Sequence, residues 1–129
     1  MNKGICGLYC FKNKDGDIIY IGKADDIHAR LKNHKHLCSE CYEELHTIEY
    51  AIVNNKADRD ILELLLISKL QPKYNQQLKY TDKPTLVITD NHNYRVRTLD
   101  IMYERILCKI IFVGHVMAEA TNNFALRNQ

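Results

Sequence analysis

"GICGLYCFKNKDGDIIYIG", residues 4–22, decides the fold. Two short runs rich in Ile, Tyr and Phe flank "KNKDG", where Asn13 and Asp15-Gly16 carry turn chemistry, so the stretch is expected to be a β-hairpin. Two registers are open. A turn centred between Lys14 and Asp15 sets Tyr9 opposite Tyr20, and one centred on Asp15-Gly16 sets Tyr9 opposite Gly22. Side chains alternate with a period of two, so either register puts Tyr9 and Tyr20 on the same face.

Downstream, "KADDIHARLKNHK" reads as a helix with Asp25 or Asp26 at its N-cap. Ile27, Arg30, Leu31 and His34 follow helical spacing, so Arg30 and His34 share a side with the apolar stripe. "HTIEYAIVNN" alternates as a third strand, and "ADRDILELLLISKL" is a second helix that Pro72 brings to an end. The order β-β-α-β-α predicts a small α/β (α+β) domain: a mostly antiparallel three-stranded central sheet flanked by helices. Residues 1–80 form this domain and 81–129 a C-terminal extension on or beside it. Within the extension, "KPTLVITDNHNYRVRTLD" reads as a strand pair turning at "DNHN", and "IMYERILCKIIFVGHVM" as a helix or a helix and strand.

The second helix poses a chemical question. Glu63 is surrounded by Ile61, Leu62, Leu64, Leu65, Leu66 and Ile67, so little of the helix is expected to face water. An ionised carboxylate in an apolar wall costs several kcal/mol unless something compensates it. Arg59, one turn earlier, offers an ion pair in the less favourable order, worth only tenths of a kcal/mol.

Composition narrows the class. The chain has 129 residues, of which 46% are hydrophobic and 26% charged, as expected of one globular domain. Formal net charge is +2, short of a strongly basic nucleic-acid signature. No apolar run reaches the roughly 20 residues a membrane span needs. The start lacks the pattern of a secretory signal, and a cytoplasmic location is expected. Five cysteines, an odd number, argue against a disulfide framework. Cys38 and Cys41 form C-x-x-C with His34, His36 and His46 nearby, a possible zinc site. No second pair follows at finger spacing, and surface thiols on a loop are the plainer reading.

Each of these residues alone has an ordinary structural explanation; their order does not. "GLY" at 7–9, ten residues, "YIG" at 20–22, then Arg30, His34, Glu63 and Asn75 resemble the GIY-YIG nuclease family over about residues 4–78. "GLY" in place of GIY is a conservative departure. "YIGKA" resembles the motif in excision-repair nuclease subunits and some restriction enzymes, whereas the histidine of "RLKNH" is as in homing and restriction members.

The resemblance implies a DNA endonuclease hydrolysing phosphodiester bonds with one divalent metal, magnesium with manganese able to substitute, held by Glu63. That would explain the acid in the apolar run. On the same resemblance Arg30 stabilises charge on the phosphate, and Tyr20 helps deprotonate the attacking water. Lys23 and Arg30 would favour its phenolate. Tyr9 orients water or phosphate, and His34 accepts a proton or holds the phosphate. Gly22, Lys23 and Asn75 support the site. Either the target is read by shape, as in branched or flapped DNA, or a partner subunit supplies the reading; a homodimer would be needed for a concerted double-strand cut. "NYRVR" (93–97) is either a backbone contact or a solvated strand edge. The alternative is an inactive nucleic-acid-binding module of the same fold, with structural zinc at Cys38 and Cys41. A pure binder has no need of Glu63, whose charge repels phosphate.

Overall fold

The computed structural model describes residues 4–79, 82 and 94–99. Strand β1 (Gly7–Lys12) turns into β2 (Ile18–Ala24) through a loop built on Asn13. The Asn13 side-chain oxygen accepts from the amides of Asp15 and Asp17 at 3.1 and 2.9 Å, and Gly16 takes φ 86°, which favours glycine. Tyr9 pairs with Gly22, the second of the two registers. A bulge between Phe11 and Lys12 then pairs Phe11 with Tyr20 and Lys12 with Ile18. Tyr9 and Tyr20 share a face, with ring centroids 6.1 Å apart.

Helix α1 (Ile27–Lys32) starts at Asp26, whose carboxylate accepts from the Ala29 amide at 3.1 Å. It ends sooner than its apolar spacing predicts. Asn33 caps it, with the side-chain amide donating to the Ala29 carbonyl, so His34 enters the core from a loop instead of from the helix stripe. A further short helix, α2 (Ser39–Glu44), occupies the segment expected to be a loop. It is followed by β3 (Thr47–Ile52), α3 (Lys56–Leu70) and β4 (Val96–Thr98).

Among the described residues the sheet therefore has four strands where three were expected, in the order β2-β1-β3-β4 and antiparallel throughout. The extra strand comes from the "NYRVR" stretch and lies exposed along β3, a solvated edge. The strand turn at "DNHN" and the run from 101 onward lie outside the described residues. Among those described, no helix is long and apolar enough to cross a membrane.

Tyr9, Phe11 and Tyr20 project from one face of the sheet and pack with Leu31, Tyr42, Leu45 and Ile48 into the core. Burying these large side chains contributes roughly 1.5–3 kcal/mol each and locks the hairpin to α1 and α2. Helix α3 is less immersed than its sequence predicts. Arg59 and Ile67 are buried, while Ile61 and Leu64 are 45% and 38% exposed. Glu63 lies with Arg59 and Ile67 on the inward stripe of the helix.

Candidate active site

A cavity of about 460 Å³ opens between β2, α1, α3 and the loop after α3. Tyr20, Lys23, Arg30, His36, Glu63 and Asn75 line it. Glu63 reaches it from the middle of α3, with its side chain 13% exposed. Burial raises its pKa, and Lys23 and Arg30 only partly oppose that effect. Its expected partner, Arg59, is engaged elsewhere. That guanidinium donates to Asp25 at 2.7 Å and to the carbonyls of Val53 and Asn54 at 3.0 and 3.2 Å. Lys23 is closer to hand, yet it donates to Asp60 at 2.7 Å and stands 3.8 Å from Glu63, beyond hydrogen-bond range. A mostly buried carboxylate thus faces the cavity with only a loosely placed cation, in want of a stronger one.

Asn75 works from behind. Its side-chain oxygen accepts from the Ile21 amide and its NH₂ donates to the Ile21 carbonyl, both at 2.9 Å. The amide completes the outer edge of β2 as a neighbouring strand would and ties the loop after α3 to it. The Tyr74 amide adds a third tie, to the Ile19 carbonyl at 2.9 Å. Gly22 makes room: a Cβ there would lie 2.5 Å from the Tyr9 hydroxyl and ring.

Tyr9 and His34 do not line the cavity. Both are 2% exposed and sit behind Tyr20. The Tyr9 hydroxyl is 2.9 Å from His34 Nε2, and His34 Nδ1 is 2.8 Å from the Tyr42 hydroxyl. Burial holds the His34 pKa down to about 3, so the ring is neutral at physiological pH. The core encloses both, away from the cavity where a phosphate would lie: His34 bonds to Tyr9 and Tyr42, and the Tyr9 ring packs beside Tyr20 with centroids 6.1 Å apart.

Tyr20 also departs from expectation. Burial outweighs the favourable charge of Arg30, so its pKa lies above the ordinary tyrosine value and the phenol is protonated. The Arg30 guanidinium stands beside both the Tyr9 and Tyr20 hydroxyls. Tyr20 has a second polar neighbour at the cavity, His36, with Nε2 3.1 Å from the phenolic oxygen. In the sequence His36 stands out only as a neighbour of the cysteine pair. Nothing in its spacing marks it as reaching Tyr20, because the chain turns after α1.

The cysteine pair is split. Cys38 caps α2 at the surface, whereas Cys41 is fully buried in the core and burial pushes its thiol up to about 12. The two thiols are therefore not both on a surface loop. Among the described residues no group of three or more His, Cys, Asp or Glu side chains is gathered around a common point.

The cavity is thus lined by one mostly buried carboxylate, three cations (Lys23, Arg30 and Lys73) and two tyrosines, beside a hairpin bearing the two tripeptides. A family model described as the UvrC-like GIY-YIG domain matches residues 5–76. The chain belongs to that family. Among its relatives, UvrABC system protein C of Thermotoga maritima is 35% identical over 127 residues, covering 95% of this chain and 21% of the relative. The protein of that name from Ureaplasma parvum is 35% identical over 131 residues, with the same coverages. That from Methanococcus maripaludis is 31% identical over 94 residues, covering 68% of this chain and 18% of its own length. The chain therefore spans about a fifth of the length of these relatives. The crystal structure of the GIY-YIG N-terminal endonuclease domain of UvrC from T. maritima, bound to magnesium as its catalytic divalent cation, is similar to this chain. It has a TM-score of 0.50 and 38% identity, covering 58% of this chain and 88% of that one. A point mutant of the same domain bound to its cation gives 0.52.

The donor chemistry fits such a cation. Magnesium takes hard oxygen ligands, keeps several waters and needs only one or two protein carboxylates. Glu63 is one carboxylate at a cavity wall, and its desolvation is what a divalent ion would relieve.

Proposed function

We propose that this chain is the nuclease domain of a magnesium-dependent DNA endonuclease, of the kind that makes single-strand incisions in excision repair. The observation that carries the reading is Glu63: a carboxylate mostly withdrawn from water, paired only loosely with Lys23 at 3.8 Å, and lining one cavity with Tyr20 and Arg30. Repair, in preference to restriction or mobile-element function, is supported by the family and by the names of its relatives.

Held by Glu63, a divalent cation would supply charge stabilisation for the phosphate and the departing 3′ oxygen. Arg30, exposed at the cavity, binds the phosphate through its planar donor fork. Lys23, its ammonium swung from Asp60, adds a second positive charge on the phosphate path. Tyr20 faces the attacking water and takes its proton. Tyr9 and His34 hold Tyr20, while Asn75 keeps β2 and the loop after α3 in register around the site. DNA is the substrate. Since the relatives are named as components of a UvrABC system, a partner subunit is favoured over a homodimer for choosing the target.

The test is a cleavage assay on supercoiled plasmid and on DNA carrying a bulky lesion, with magnesium or manganese, comparing wild type with Glu63→Gln. Calorimetric titration of the ion accompanies it. Cleavage and ion binding that vanish together in a variant of unchanged fold are expected. Equal cleavage and ion binding by the two proteins would remove Glu63 from the metal site, and absence of cleavage by the wild type would remove the nuclease reading.

A further inference from the structure

The hydrogen bonds behind the site form a single chain, and one of its members cannot be reversed. The Leu37 backbone N–H can only donate, and it donates to the Tyr42 hydroxyl oxygen at 3.2 Å. Tyr42's own proton then has one neighbour that can accept it, His34 Nδ1 at 2.8 Å. A neutral imidazole that accepts at Nδ1 carries its proton on Nε2, so His34 donates to the Tyr9 hydroxyl at 2.9 Å. Tyr9, already receiving from His34, passes its proton towards the adjacent Tyr20 hydroxyl. Arg30 stands beside both hydroxyls and can only donate. Tyr9 and Arg30 thus both turn protons towards the Tyr20 oxygen, and the one hydrogen bond that oxygen makes among the described residues is with His36 Nε2, at 3.1 Å.

We infer that His36 is a positioning residue for the reaction: its Nε2 accepts the phenolic proton of Tyr20 as Tyr20 receives a proton from the attacking water. This deepens the nuclease reading and rests on it. The difficulty it resolves is chemical. A buried, protonated phenol cannot take a proton from water unless it gives one up. His36 is at the exposed rim of the cavity, its ring tilted 39° to that of His34 with centroids 4.4 Å apart; partial burial and then Arg30 lower its pKa, which keeps the ring neutral and Nε2 able to accept. In the balanced step an O–H bond of water breaks and its oxygen bonds to phosphorus. That proton goes to the Tyr20 oxygen, the Tyr20 proton goes to His36 Nε2, and the P–O3′ bond breaks with its electron pair on the 3′ oxygen. Solvent protonates the 3′ oxygen, and His36 returns its proton to solvent from the rim. Arg30, drawn to the phosphate, vacates the lone pair of Tyr20 that the water needs.

The experiment is steady-state cleavage by the full chain with magnesium, for wild type, His36→Gln and His36→Ala, with and without added imidazole. Long-range ¹H–¹⁵N spectra of the histidine rings are recorded beside it. Glutamine keeps an acceptor for the Tyr20 hydroxyl but cannot take up a proton at neutral pH. Both variants are expected to lose kcat by roughly 10²-fold with KM unchanged, imidazole restoring part of the loss in His36→Ala. The spectra should show His36 protonated on Nδ1 and bare on Nε2. Wild-type kcat in His36→Gln would reduce His36 to a hydrogen-bond acceptor and overturn the inference. A raised KM at unchanged kcat would make it a phosphate contact, and a proton on Nε2 would reverse the bond to Tyr20; each overturns it equally. Those outcomes leave the nuclease reading standing, whereas a wild type that does not cleave removes both.

Discussion

Replacing Tyr42 by phenylalanine removes one oxygen atom from the chain of hydrogen bonds behind the site. The ring still fills its place in the core, so no cavity larger than a hydroxyl opens. Two groups lose a partner: His34 Nδ1, at 2.8 Å in a fully buried setting, and the Leu37 N–H, at 3.2 Å in a partly buried one. An orphaned buried polar group costs about 1–3 kcal/mol. With the histidine towards the upper part of that range and the half-buried amide at the bottom, Tyr42→Phe should cost about 2–4 kcal/mol. That is a large share of the roughly 5–15 kcal/mol that holds a domain folded. The assay is urea unfolding followed by circular dichroism, where the midpoint should fall with its slope unchanged. A loss below about 0.5 kcal/mol, the range of an ordinary surface substitution, would refute the reasoning. It would mean that Tyr42 neither satisfies His34 nor sets its tautomer, and the directed chain to Tyr20 would lose its anchor.

Two further predictions concern stability. Asn75→Ala removes both bonds to Ile21 and should cost about 2 kcal/mol together with a fall in kcat; unchanged stability by urea unfolding would show the pairing to be incidental. His34 takes up a proton only near pH 3 when folded, against an ordinary value of 6.5 when unfolded. Between those values the unfolded chain binds more protons, so stability is fully present above pH 6.5 and falls as pH drops, by up to about 1.4 kcal/mol per pH unit from this group. Measured at pH 7, 5 and 4, wild type should lose more stability than His34→Gln; parallel losses would contradict a neutral buried ring.

The hairpin and the shared face of the two tyrosines were legible in residues 4–22, because turn chemistry and a period of two are local. The acid was legible as an anomaly, a carboxylate where the pattern calls for leucine. Less visible was the division of labour among the residues that follow Arg30. Helical spacing carries on to His34, but Asn33 closes the helix first, a competition between side-chain and backbone hydrogen bonds that periodicity ignores. The inward turn of Cys41 and the approach of His36 to Tyr20 depend on how α2 and its loop pack against the sheet, which is tertiary. Likewise the run of leucines overstated the burial of α3: Ile61 and Leu64 face outward because only one stripe of the helix meets β1 and β2.

The two bonds between Asn75 and Ile21 reach beyond the site. Among the described residues strand β2 ends the sheet on one side, and an edge of this kind, with its row of N–H and C=O groups, is a template on which another chain can add a strand. Ile19 and Ile21 present those groups here, and the Tyr74 amide and the Asn75 side chain already occupy them. Among the described residues the other outer strand, β4, is three residues long and carries Arg97, both recognised ways of discouraging edge-to-edge growth. The loop beside the cavity therefore also covers this edge against strand addition, and variants at Asn75 should aggregate on standing even under conditions where they fold.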